Sequence, residues 1–165
     1  MIILKKGWVS KMAIRNAAKA IIYHDEKILL NQCRDNMNNV YYDLPGGGQK
    51  IYESMETAVC REIMEETGYT AKIIRFAALA EEIYTDPEIQ KKHPNYTHKI
   101  HHIFLVELTD IPRQRPSELD NEMEDSVWLS IEEAAQVDLR PAGLGKQLPE
   151  ILANTYPIYL DTIFM

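Results

Sequence analysis

The segment PGGGQKIYESMETAVCREIMEETGY, residues 45–69, constrains this chain more than any other. Three adjacent glycines precede a helix-forming run in which glutamates occupy places that a core-facing helix gives to apolar residues. Ser54 or Glu53 can cap the start, Glu56 falls in the first turn and Gly68 stops the run, so a helix is predicted over 54–67. At about 100° per residue, Met55, Ala58, Val59, Glu62, Ile63 and Glu66 fall on one stripe, with Glu65 at its border. The carboxylates therefore continue the buried stripe instead of opposing it. A carboxylate turned inward must be paired, protonated or bound to a cation. Glu62, Glu65 and Glu66 stand at i, i+3 and i+4, so their side chains converge and repel. Arg61 reaches Glu65 at i+4 and offsets part of that repulsion. A hard divalent cation fits the remainder, because Mg²⁺ prefers carboxylate and water oxygens.

Gly46, Gly47 and Gly48 permit a close backbone approach and expose N–H and C=O groups beside the glutamates. Helix and loop together read as a site for Mg²⁺ ions that in turn hold phosphate groups. The formal charge of −7 suits that arrangement and argues against broad attraction to nucleic-acid backbones. No apolar run reaches the roughly 20 residues of a membrane span, and the opening MIILKKGWVSKM has no signal-peptide pattern. Cys33 and Cys60 are isolated thiols, which points to a reducing, cytoplasmic setting, with Cys60 a packing residue.

With 165 residues the chain reads as one domain over 13–165, preceded by an N-terminal extension or edge strand at 1–12. Residues 17–34 read as a hairpin turning at Asp25–Lys27, and 38–44 as a short aromatic strand. Two long strands are expected at 70–85 and 97–110, joined by a surface loop at 86–96. An acidic loop at 113–125 leads to a strand at 126–130. Ser130 and Glu133 form a capping box for the next helix, and a last helix is expected at 145–154. Strands, helix, strands and helices in that order make a mixed α/β sheet with helices packed on it.

Residues 47–69 resemble the signature of the Nudix hydrolases, G-x5-E-x7-R-E-U-x-E-E-x-G-U, with U bulky and apolar. Gly47, Glu53, Arg61, Glu62, Ile63, Glu65, Glu66 and Gly68 match, and Tyr69 stands where an aliphatic residue is usual. The resemblance implies an α/β/α sandwich with a loop–helix–loop motif. It also implies Mg²⁺- or Mn²⁺-dependent hydrolysis of the phosphoanhydride in a nucleoside diphosphate linked to another moiety: a nucleotide sugar, an ADP-ribose-like compound, a dinucleotide or a nucleoside triphosphate. Carried over, Glu62, Glu65 and Glu66 would be metal ligands, with the Gly47 carbonyl or its neighbour's adding one. Arg61 would orient a glutamate, and Glu53 would support the loop or the arginine. Family members are often homodimers. The alternative is a Nudix-like regulatory domain that binds a nucleotide without turnover, although such domains usually lose motif glutamates; action on RNA 5′ ends is disfavoured by the charge.

The general base varies in the family. Glu122 and Glu124, in the acidic loop, are the candidates, with Glu66 their rival. Arg34, Tyr42 and Tyr84 are candidate pocket residues. ADP-ribose hydrolases tend to carry proline 16 residues after the last motif glycine, where this chain has Tyr84; dinucleoside-polyphosphate hydrolases tend to have tyrosine one or two places further on. Neither pattern is matched. His98 and His102 share a strand face and His101 takes the other, so the three cannot close on one tetrahedral zinc without distortion. Trp128 reads as core.

Overall fold

Asp25 and Glu26 both adopt positive φ, 49° and 61°, the backbone of a tight turn whose twist matches the strands it joins. They connect β1 (Arg15–His24) to β2 (Lys27–Arg34). The computed structural model describes residues 14–118 and 122–165, and the expected extension at 1–12 lies outside them. β1 and β2 pair only next to the turn, Tyr23 with Ile28 and His24 with Lys27. Beyond that they part. β1 runs parallel to β6 (His98–Leu108), which is antiparallel to β5 (Ala71–Ile83). β2 is flanked by β3 (Val40–Asp43) and β7 (Met123–Ser130). The splayed hairpin is the reason this fold has a cleft.

The three glycines do not loop freely. They form β4 (Gly46–Gly48), laid antiparallel on β1 inside the splay, Ala17 against Gly48 and Lys19 against Gly46. A Cβ on Gly46, whose φ is 135°, would sit 2.1 Å from the Ala18 carbonyl oxygen, so only glycine fits. α1 (Met55–Thr67) follows. Ser54 caps it by accepting from Thr57 N, and Gly68, at φ 74°, ends it. Its apolar residues Ala58, Val59 and Ile63 bury against Ala18, Ala20, Ile22 and Phe104. On the opposite side, α3 (Ile131–Ala134) and α4 (Leu144–Ala153) close over Ile21, Leu30, Leu44 and Ile103. Helices thus cover both faces of a mixed sheet, the expected α/β/α arrangement.

Three local expectations change. Residues 86–96 are not all loop: α2 (Pro87–Lys92) forms because the Asp86 carboxylate caps Glu88 N and proline opens the first turn. β7 begins three residues early, because Met123 pairs with Cys33 beyond a bulge at Glu124 of β7. Besides β4, two strands lie outside the expected elements: β8 (Leu139–Arg140), a short partner of β3, and β9 (Ile158–Phe164), parallel to β5 at the sheet edge.

Candidate active site

Arg61 is the hub of the helix α1 side of the site. Its Nε and Nη2 donate to Glu53 at 2.7 and 2.9 Å, and its Nη1 donates to Glu62 at 2.6 Å and Glu65 at 2.8 Å. Its Nη2 also donates to the Gly48 carbonyl at 3.2 Å, tying helix to strand β4. These bonds, that to Glu53 foremost, hold the guanidinium above its ordinary pKa. The same contact, helped by the Lys50 N–H, holds the Glu53 carboxyl down at about 2. A Cβ on Gly47 would meet the Glu62 carboxyl carbon at 2.6 Å. Glycine there leaves the cradle in which that carboxylate lies.

Glu66 turns away from the hub. It is 8% exposed and accepts from Asn31 Nδ2 at 2.7 Å and from Gly46 N at 2.8 Å. Burial pushes its carboxyl up to about 7, against the pull of Lys19, Gly46 N–H and Asn31. It projects into a cleft of about 410 Å³ at the open end of the splay, beside Gly46 and Asn31. The cleft is also lined by Lys19, Tyr41, Asp43 and Glu122, by Lys99, and by the exposed His93 and Tyr96. Burial alone would lower the pKa of Lys19; Asp43, 2.7 Å away, and Glu66 outweigh it and hold the ammonium above its ordinary value. Burial pushes the neighbouring Cys33 thiol up to about 12, so it stays protonated.

The two acidic-loop candidates part company. Glu122 lines the cleft; its side chain accepts from Tyr41 Oη at 2.5 Å and its carbonyl from Arg34 N at 2.8 Å. The Arg140 guanidinium lies 3.7 Å from the Tyr41 ring centroid, on the far side of that link. Glu124 is clasped outside the cleft by Arg34 Nε at 2.6 Å and by Gln32 at 3.0 Å. That clasp also takes Arg34 out of the pocket. Alternation along β3 packs the half-buried Tyr42 against the core beneath α3 and α4, and its neighbour Tyr41 lines the cleft. Tyr84 does not line the cleft; its ring lies 5.6 Å from Nζ of Lys99, which does. Signals for the missed residues were present. Lys19 interrupts the apolar run Ala17–Ile22 of β1, and Asn31 directly follows the apolar run Ile28–Leu30 of β2; a polar side chain at such a place needs a partner.

Trp128 packs with the α1 core. The histidines find separate partners: His98 with Glu81, His101 with Glu82 and His102 with Asn16. Among the described residues no three His, Cys, Asp or Glu side chains surround a common point as they stand. For Glu62 and Glu65 the reason is Arg61, which both carboxylates grip. The donor set itself fits a hard divalent cation: three carboxylates one helical turn apart, a backbone carbonyl strand against them and an empty Cβ position at Gly47. No helix among the described residues is long and apolar enough to cross a membrane.

The NUDIX domain family model matches residues 13–151. An ADP-ribose pyrophosphatase of Bacillus subtilis is 25% identical over 137 residues, 82% of this chain and 64% of that protein. An ADP-ribose pyrophosphatase of Methanocaldococcus jannaschii is 44% identical over 57 residues, 34% of each chain. The matched segments thus span about a third and just under two thirds of these relatives. A NUDIX hydrolase structure from Nitrosomonas europaea superposes with a TM-score of 0.67 at 20% identity, covering 85% of this chain and 88% of that one, which shows the shared fold.

Proposed function

The chain belongs to the Nudix family, and from that premise we propose that it hydrolyses the pyrophosphate bridge of a nucleoside diphosphate linked to another moiety, with ADP-ribose the first substrate to test. The observation that carries this reading is the placement of Glu66. It is buried, held by Asn31 and Gly46 N–H, and continuous with Glu62 and Glu65 at the edge of a cleft large enough for a nucleotide. The names of the two relatives support the choice of ADP-ribose.

Glu62, Glu65 and Glu66, with a carbonyl of β4, would hold Mg²⁺ or Mn²⁺. When bound, the ion would neutralise pyrophosphate oxygens and make water more acidic. The protein's own groups do the rest. Arg61 holds Glu62 and Glu65 beside β4 through two short bonds, and both carboxylates would turn from the guanidinium to the ion when it binds. β4 sets its backbone against the substrate, and the Gly46 N–H stays committed to Glu66. Glu122 is the base in this reading: it lines the cleft, and Tyr41 and Arg34 hold it at both ends, ready to take a proton from the attacking water.

Incubating the protein with Mg²⁺ and a panel of ADP-ribose, nucleotide sugars, dinucleoside polyphosphates and nucleoside triphosphates, and separating the products, tests the proposal. Release of a nucleoside monophosphate from ADP-ribose or a nucleotide sugar is expected. Tight binding without product from any member would favour a regulatory nucleotide-binding domain instead.

A further inference from the structure

The cations around the cleft are largely spoken for. Arg61 is closed on three glutamates, Lys19 on Asp43 and Arg34 on Glu124. Lys99 shares the buried Glu82 with His101, at a longer 3.7 Å. Arg15 pairs with no carboxylate among the described residues, and its position is not that of a side chain adrift in solvent. Its guanidinium carbon lies 4.5 Å from the ring centroid of Tyr96, which lines the cleft. On another side the guanidinium rests against β4: a Cβ on Gly48 would meet its Nη2 at 2.9 Å and its Cζ at 3.1 Å. Arg15 is also the register partner of Lys99 across β1 and β6, so the two basic side chains start from adjacent backbone positions.

An aromatic ring and a glycine backbone hold the guanidinium without consuming its N–H donors. The Gly48 carbonyl, on the same residue, takes its bond from Arg61, whose charge is already spent on carboxylates. A dianionic pyrophosphate entering beside Glu62, Glu65, Glu66 and Glu122 meets strong repulsion. A planar fork of donors that has no carboxylate partner among the described residues, set next to β4, opposes that repulsion and can grip two phosphate oxygens at once.

We propose that Arg15, braced by Tyr96 and Gly48, is a substrate-binding residue that clamps the pyrophosphate of the substrate from the side opposite the helix glutamates. This rests on the pyrophosphohydrolase reading given above. The clamp acts on binding more than on the chemical step, so it sets KM. The experiment compares wild type with Arg15→Gln and Tyr96→Ala in two ways: calorimetric binding of imidodiphosphate, a pyrophosphate analogue that resists hydrolysis, with Mg²⁺ present, and steady-state kinetics on ADP-ribose. Arg15→Gln should weaken imidodiphosphate about tenfold or more and raise KM to match, leaving kcat within about threefold, the split expected when uniform binding is lost. Tyr96→Ala should move both values the same way by a smaller factor. Binding of imidodiphosphate unchanged within twofold in Arg15→Gln overturns the clamp, as does a fall in kcat with binding intact. Wild-type protein that binds imidodiphosphate through Arg15 yet cleaves no nucleotide would leave the clamp standing and remove the pyrophosphohydrolase reading. Wild type that fails to bind it would remove the clamp.

Discussion

Two walls meet at the cleft and they are assembled differently; of the α1 wall, Glu66 is the residue that lines the cleft itself. The α1 wall comes from one continuous stretch: Glu53, Arg61, Glu62, Glu65 and Glu66 are ordered by helical spacing and tied by a single guanidinium. The opposite wall is gathered from five separate elements or loops: Lys19 from β1, Tyr41 and Asp43 from β3, Tyr96 after α2, Lys99 from β6, and Glu122 before β7. The first wall is dense in charge that is largely neutralised within it. The second is held by pairwise contacts, Lys19 to Asp43 and Tyr41 to Glu122. Chemistry common to many substrates suits the first; selection among them suits the second.

If that division holds, substitutions should sort by wall. Glu66→Gln should cost the most, a loss in kcat of about 10³-fold or more, with a circular dichroism spectrum like that of wild type. Near-normal turnover in that variant would dissolve the distinction. Next comes the pair Glu122→Gln and Glu124→Gln. The first should lower kcat about 10²-fold and the second less than about threefold, because only Glu122 reaches the cleft. Equal losses would show that the Arg34 clasp on Glu124 opens in solution.

A smaller effect appears in stability of the protein stripped of metal by chelator. The Glu66 carboxyl sits at about 7 when folded, above its ordinary 4.5. The folded state therefore holds the proton more tightly than the unfolded state does. The cost of ionising it is absent below about pH 4.5, grows as pH rises and is complete above about 7, reaching as much as about 3 kcal/mol. Urea unfolding across that window should show wild type losing stability relative to Glu66→Gln; parallel curves would contradict the burial. The smallest change is Arg61→Gln, which leaves neighbouring carboxylates facing one another and should destabilise the metal-free protein by about 2 kcal/mol, recovered in part by Mg²⁺. No destabilisation would mean that the hub orients the glutamates without stabilising them.

The two walls also differ in how plainly the sequence declares them. Helix periodicity carries Glu62 and Glu66 to the buried stripe, and caps at Ser54 and Gly68 mark the helix ends, so α1 was legible at once. The partners of Glu66 were not. Asn31 lies 35 residues away and meets it only because β1 and β2 splay apart after two pairs. No local pattern encodes that divergence. Tyr41 and Tyr42 differ only in strand parity, and parity is settled by the register of β3 on β2, Cys33 with Tyr41 and Gln32 with Tyr42. Glu122 and Glu124 share the same parity, so alternation alone would place them on one face; the bulge that shifts β7 against β2 between Asp125 and Met123 parts them. β9 escaped notice because its pattern of half-buried residues follows the edge it lies on, not an apolar run of its own.

At the centre of this account stands the idea that carboxylates gathered on α1 and set against β4 hold a divalent ion. Titration of Mn²⁺ into the protein, followed by the loss of the free-ion electron paramagnetic resonance signal, measures that directly. Wild type should take up Mn²⁺ at a defined site, and the double variant Glu62→Gln, Glu65→Gln should bind it at least about tenfold more weakly. Equal uptake by the two proteins would place the ion elsewhere and contradict the account.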